Sequence, residues 1–268
     1  MPTRPARIRQ VASWIVLLSL ASLGWACRPT AGTASSGAVP TDAPLAGALR
    51  LRISNRCASP VWVGTLSAKG SLTGLSGDAV LTQGSRFDLT VTPDWSGRVW
   101  GRTGCTFDTA GKGRCVTGDC GGQAACTGSG ATPATLAEFT FGGAGDQVFY
   151  DVSLVDGFNV PMRIEPGAEH PACGSPECAV DLNATCEPVL QKRDDAGATV
   201  ACKSACDALG TEEACCSGAH NTPETCPPTD HARTFKAQCP TAYSYAYDDP
   251  SSTFTCAGTA YHIIFCPE

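Results

Sequence analysis

Sixteen cysteines run from Cys57 to Cys266, and a seventeenth, Cys27, stands alone at the end of a hydrophobic leader. An even set at this density reads as a disulfide framework, and an odd residue beside it needs its own account. Bridges of this kind form and persist in oxidising compartments, because cytosolic reductants keep thiols apart. The chain is therefore expected to fold as a covalently stapled domain and to act outside the cytoplasm.

The leader agrees with that placement. Arg4, Arg7 and Arg9 form a positive start, and Val11 to Ala26 supply an apolar run that ends in small residues. That is signal-peptide anatomy, since the run is shorter than the roughly 20 residues a spanning helix needs. Two cleavage readings stay open. Gly24 and Ala26 suit an ordinary signal peptidase cutting before Cys27. Leu23-Gly24-Trp25-Ala26-Cys27 also resembles a bacterial lipobox, with Gly24 where Leu or Val is usual, which would make Cys27 a lipidation site. The product is then either secreted or held at the outer surface by a lipid, with no other membrane contact.

From Cys27 to Gly47 the composition is Ala, Gly, Ser, Thr and Pro without aromatics, which reads as a flexible tether. Residues 48–268 are left for folding. The full chain carries a formal charge of −6, and removing a leader with three arginines and no acid takes it to −9. Such a surface has no electrostatic footprint for nucleic acid and is repelled by anionic lipid headgroups.

Alternation then predicts strands. Leu49-Arg50-Leu51-Arg52-Ile53 is one, and Val61–Val63, Phe87–Val91, Arg98–Arg102, Leu136–Phe141, Val148–Ser153, Met162–Glu165 and Tyr261–Phe265 are others. Many short strands separated by Gly, Pro, Asn and Asp imply a mainly β protein, an antiparallel sandwich or flattened barrel. Two cysteine-rich insertions interrupt the pattern. The first, 104–133, has four cysteines and few apolar residues; the second, 181–239, has eight and a predicted helix over Ala201–Leu209. The sandwich then comprises 48–103, 134–180 and 240–268, with the insertions as satellites held by bridges.

Several motifs resemble the thaumatin family, the thaumatin-like or pathogenesis-related group five proteins. They are Gly111-Lys112-Gly113-Arg114-Cys115-Val116-Thr117-Gly118-Asp119-Cys120-Gly121-Gly122, Trp100-Gly101-Arg102-Thr103-Gly104-Cys105, Thr135-Leu136-Ala137-Glu138-Phe139, Asp156-Gly157-Phe158-Asn159-Val160-Pro161-Met162, Cys239-Pro240-Thr241-Ala242-Tyr243-Ser244-Tyr245 and Phe265-Cys266-Pro267. With a lipobox, the chain would be a bacterial member. The resemblance implies a sandwich of about 11 strands with two disulfide-rich appendages. It also implies the pairs Cys57–Cys266, Cys105–Cys115, Cys120–Cys126, Cys173–Cys256, Cys178–Cys239, Cys186–Cys202, Cys206–Cys215 and Cys216–Cys226. The spans 186–202 and 216–226 are longer than the family's plant members carry.

Antifungal members of the family have an acidic cleft lined by one Arg, one Glu and three Asp. The matching positions are Arg98, Glu138, Asp151, Asp156 and Asp249, with Asp248 as the neighbour that competes with Asp249. Clustered carboxylates accept hydrogen bonds from sugar hydroxyls, and their mutual repulsion raises at least one pKa. A raised carboxyl beside an ionised one is what glycosidic cleavage requires. In that case Glu138 is the expected general acid and Asp156 the base or nucleophile, with Arg98 orienting a carboxylate. An open, wet groove keeps carboxyls solvated, which favours binding over turnover. The bland reading is that each acid merely decorates an exposed strand face, as the alternation of Asp151 with Val148, Tyr150 and Val152 allows.

Other chemistry has little signal. His170, His220, His231 and His262 are scattered, so no metal site is expected, and no cofactor is implied. The glycines of 111–122 lack the Lys-Ser/Thr of a phosphate loop, and no G-x-S-x-G elbow occurs. Trp62, Trp95, Trp100, Phe107, Phe149, Tyr150 and Phe158 are candidates for stacking on sugars. The leading expectation is a monomer that binds β-1,3-glucan or a related wall polysaccharide, with an antifungal role. A weak endo-β-1,3-glucanase and a protein inhibitor or interaction module without catalysis are the alternatives.

Overall fold

The computed structural model describes residues 49–75, 79–126, 128–143 and 145–268. The leader, the tether and Cys27 lie outside the described residues. Among the described residues sixteen strands appear: β1 (Leu49–Asn55), β2 (Val61–Lys69), β3 (Leu72–Thr73), β4 (Val80–Leu81), β5 (Arg86–Val91), β6 (Ser96–Arg102), β7 (Thr106–Phe107), β8 (Gly113–Arg114), β9 (Leu136–Thr140), β10 (Val148–Ser153), β11 (Met162–Pro166), β12 (Glu177–Cys178), β13 (Gln191–Arg193), β14 (Thr199–Cys202), β15 (Phe254–Cys256) and β16 (Ala260–Phe265). Helices α1 (Ala205–Leu209), α2 (Glu212–Cys215), α3 (Asp230–Gln238) and α4 (Asp249–Ser252) complete the regular structure with a 3-10 turn at Gly218–His220.

Two six-stranded sheets form the sandwich, ordered β12-β11-β16-β1-β5-β3 and β15-β10-β9-β6-β2-β4. Period-two alternation decides which side chains meet between them. Leu51, Ile53, Leu89, Val91, Ile164 and Ile263 from the first sheet pack against Val63, Val99, Ala137, Phe139, Val148, Tyr150 and Val152 from the second. Phe139 stacks on Phe141 and Tyr150, and the edge of Phe139 meets Tyr261 from the other sheet. The intervening residues point outward, so the first sheet presents Arg50, Arg52 and Asp88 while the second presents Glu138 and Asp151.

The ladder between β1 and β16 is parallel, whereas its neighbours are antiparallel. An antiparallel arrangement throughout was the expectation, and local alternation carries no information on strand direction. Because the first and last strands run the same way, they finish side by side. Cys57 and Cys266, just beyond those ends, are bonded across a separation of 209 residues. The described residues also close Cys105–Cys115, Cys120–Cys126, Cys173–Cys256, Cys178–Cys239, Cys186–Cys202, Cys206–Cys215 and Cys216–Cys226.

The two insertions are held differently. The first covers the outer face of β6, burying Trp100, whose indole donates to the Gly118 carbonyl at 2.9 Å. Gly64 lies opposite Trp100, and a Cβ there would sit 2.3 Å from the indole, so only glycine fits. Arg102 is fully buried under the same insertion and donates to the carbonyls of Gln123 and Ala124. The second insertion is more than a bridged satellite, because Leu182, Leu190 and Phe235 join the main core. Phe158 and Cys202 exchange two backbone hydrogen bonds of 2.8 Å, docking it on the sandwich. The helix expected over Ala201–Leu209 is shorter. Ala201 and Cys202 pair with β13, and the Ser204 hydroxyl accepts from the Asp207 amide, so α1 starts only after it.

Asn159 links these parts. Its side-chain amide donates to the Gly101 carbonyl and Thr117 Oγ1, both at 2.8 Å, and accepts from the Thr135 amide at 3.0 Å. It is buried, so truncation leaves several polar groups without partners or water. Asn159→Ala is expected to lower unfolding free energy by about 2–4 kcal/mol, read from the urea midpoint of the oxidised protein.

Candidate functional site

Strand β9 lies between β6 and β10, and the register decides what its outer face presents. Arg98 pairs with Glu138 across one ladder, and Glu138 pairs with Asp151 across the other. Three charged side chains, separated by up to 53 positions, therefore stand in one transverse row. Outward-facing neighbours in a sheet are about 5 Å apart, close enough for each charge to feel the next.

Two further acids arrive from turns. Asp156 follows β10, and its Oδ2 accepts from Arg98 Nη1 at 3.3 Å. Asp249 begins α4 and accepts at Oδ1 from the Tyr243 hydroxyl at 3.0 Å. Arg98, Glu138, Asp151, Asp156 and Asp249 together line a cleft of about 390 Å³, with Leu136, Ser153, Val155, Tyr243 and Ala246. An adjoining hollow of about 280 Å³ shares Arg98, Glu138 and Asp151 and extends past Phe149.

Asp248 is directed elsewhere. It is buried and accepts from the Ser244 amide and hydroxyl, the Ser251 hydroxyl and Lys236 Nζ. Burial works against its charge, but these bonds outweigh it and hold the carboxyl below the ordinary range. Its role is to brace the turn that presents Asp249.

The electrostatics depart from those of a wet groove. Burial, with the charges of Glu138 and Asp249 adding to it, pushes the Asp151 carboxyl up to about 8. Its Oδ1 is buried without a hydrogen-bond partner, as a carboxyl awaiting one would be. Burial also raises Glu138; Arg98 opposes that shift and Asp156 reinforces it. Glu138 and Asp151 stand mid-sheet on neighbouring strands, and both are half-buried.

Of the aromatic candidates, Trp95, Trp100, Tyr150 and Phe158 are fully buried and cannot reach a ligand. Trp62 and Phe107 are half-buried, while Phe149 is 40% exposed and lines the hollow beside Asp151. Tyr243 belongs to the cleft but was not among the candidates. Its only sequence signal is a tyrosine six positions before Asp249. The ligand-type atoms of His170, Cys173 and Cys256 lie within 4.8 Å of one another, but the two sulfurs are bonded to each other and offer no thiolate.

The folded Asp151 carboxyl holds its proton to about pH 8, whereas an unfolded aspartate releases it near pH 4. The folded state thus binds the extra proton throughout that window, and stability declines as pH rises across it. Asp151→Asn is expected to remove this decline in a pH series of urea midpoints. A carboxyl 13C titration should place Asp151 near 8, with Glu138→Gln moving it downward.

No helix among the described residues is long and apolar enough to cross a membrane. The chain is 54% identical over 213 residues to pathogenesis-related protein 5 of Arabidopsis thaliana, covering 80% of this chain and 88% of that protein. It is 48% identical over 227 residues to a glucan endo-1,3-beta-glucosidase of Prunus avium, covering 83% and 92%. These relatives are plant proteins and lend no support to a bacterial origin. A family 64 laminaripentaose-producing β-1,3-glucanase from Paenibacillus barengoltzii shares the fold at a TM-score of 0.52 and 11% identity, over 82% of this chain and 75% of that one. The thaumatin family model matches residues 55–267, and the chain belongs to that family.

Proposed function

We propose that the protein binds β-1,3-glucan or a related wall polysaccharide in the acidic cleft, acting outside the cell with an antifungal role. The observation that carries this reading is the meeting of Arg98, Glu138, Asp151, Asp156 and Asp249 around one cleft. Carboxylates accept from sugar hydroxyls, and the protonated Asp151 adds a donor, so neutral polyols find both kinds of partner. Phe149 supplies an aromatic face beside them. The fully buried aromatics are no part of this site.

Hydrolysis is the second reading, favoured by the raised carboxyl of Asp151 in the same cleft as the Arg98-paired Asp156. A group protonated at neutral pH is suited to donate to a leaving oxygen, which makes Asp151 a contender with Glu138 for general acid. Asp156 would be the base or nucleophile. The relative named as a glucan endo-1,3-beta-glucosidase adds support to this class.

Insoluble β-1,3-glucan should retain the protein. Glu138→Gln and Asp156→Asn should each weaken retention about tenfold, as loss of a charge-assisted hydrogen bond does. Release of reducing ends, abolished by the same changes, marks the enzyme. Retention indifferent to both changes defeats the cleft reading and leaves an interaction module.

Export belongs to the same proposal, since eight disulfides require an oxidising compartment. Cys27 is its lipid attachment point if the protein stays at the surface. Cys27→Ser should then move the protein from the membrane to the soluble fraction, and an unchanged distribution rejects the anchor.

A further inference from the structure

A larger cavity, of about 740 Å³, opens on the outer face of the first sheet. Register builds its floor: Glu165 pairs with His262, His262 with Arg52, and Arg52 with Asp88, in one row across β11, β16, β1 and β5. Beside that row Ala260 pairs with Arg50, and the short alanine side chain leaves a depression. The loop from Pro166 to Ser175 forms one wall. It is fixed by the Cys173–Cys256 bond, by the Gly167 amide donating to the Ala260 carbonyl at 2.8 Å, and by the Tyr150 hydroxyl donating to the Gly174 carbonyl at 2.7 Å. The site is thus set before any ligand arrives.

Its charges are unequally engaged. Asp88 accepts two hydrogen bonds from Arg52, at 2.8 and 3.1 Å, and Arg163 serves both Glu177 and Glu165. Arg50 has no carboxylate within 4.0 Å among the described residues. His262 shares a hydrogen bond with the Ser54 hydroxyl at 2.8 Å. It is faced by Glu165 from β11, Arg52 and Arg56 from β1 and its end, and Asp88 from β5. Burial holds its imidazole below the ordinary value, Glu165 opposes that, and the two arginines reinforce it. It enters the cavity as a neutral hydrogen-bonding group.

We propose that this cavity binds an acidic sugar unit, a uronate, with its carboxylate on the Arg50 guanidinium and its hydroxyls on Glu165 and His262. A guanidinium matches a carboxylate with two parallel bonds. One uncommitted cation among carboxylates fits a ligand with one negative charge and several hydroxyls. A phosphate dianion would meet repulsion from Asp88, Glu165 and Glu177. The volume lies within the range of small-ligand sites, about 300–1,000 Å³. The net negative charge of the acidic cleft would repel the same unit, so this site is independent of glucan binding.

Calorimetry on the purified oxidised protein with galacturonate, glucose and inorganic phosphate tests the proposal. Galacturonate should bind at millimolar concentration or below, with glucose and phosphate silent. Arg50→Ala should weaken binding about tenfold and Arg50→Lys less, while Glu138→Gln should leave it unchanged. Arg50 is exposed, so its replacement spares the core. The His262 imidazole should titrate higher with galacturonate bound, because a carboxylate then lies nearby. No binding, equal binding of phosphate, or indifference to Arg50→Ala overturns the assignment.

Discussion

The position of β9 between β6 and β10 is the constraint on which the acidic cleft depends. One register sets two faces at once: Ala137 and Phe139 enter the core while Glu138 stands outward between Arg98 and Asp151. Slipping that register by one residue would bury the charges and expose Phe139 to water. Aromatic packing of Phe139 with Phe141, Tyr150 and Tyr261 opposes such a slip. The core therefore orders the cleft chemistry.

Covalent links perform the complementary task of holding distant segments together. Without a bond between Cys57 and Cys266, the parallel pairing of β1 and β16 would bear a large loop-closure entropy. The second insertion is bridged at Cys186–Cys202 and docked by the Phe158–Cys202 backbone pair. Phe158 lies two residues beyond Asp156, so the docking also fixes the turn that carries this acid. Similarly, Lys236 of α3 reaches Asp248 at 3.0 Å, tying the insertion to the turn that presents Asp249. Two of the cleft's acids thus depend on an insertion that contributes neither.

The longer strands were legible in the chain because they alternate, as Val148–Ser153 does, while the two-residue strands β3, β4, β7, β8 and β12 carry no such signal. Pairing between segments was not. Nothing local in Leu49–Asn55 says that it lies parallel to Ala260–Phe265, or that Arg52 will stand beside His262. Family motifs supplied what periodicity lacks, pointing to the cysteine pairs and to Arg98, Glu138, Asp151, Asp156 and Asp249. They did not convey that Tyr243, some 90 positions later in the chain, lines the same cleft as Asp151. The cavity over Ala260 escaped notice for a similar reason, since its floor and wall come from five separate strands and a loop.

The two outward faces of the sandwich differ in kind. Around the acidic cleft four acids meet one arginine, and burial of Asp151, with the charges of Glu138 and Asp249 adding to it, favours its protonated form. On the first sheet, Arg50, Arg52 and Arg163 intersperse with Asp88, Glu165 and Glu177, and among these only Arg50 has no carboxylate partner within the described residues. A neutral polyol is matched by the former surface, with acceptors in excess and a single acid donor. An anionic sugar is matched by the latter, where one guanidinium stays uncommitted.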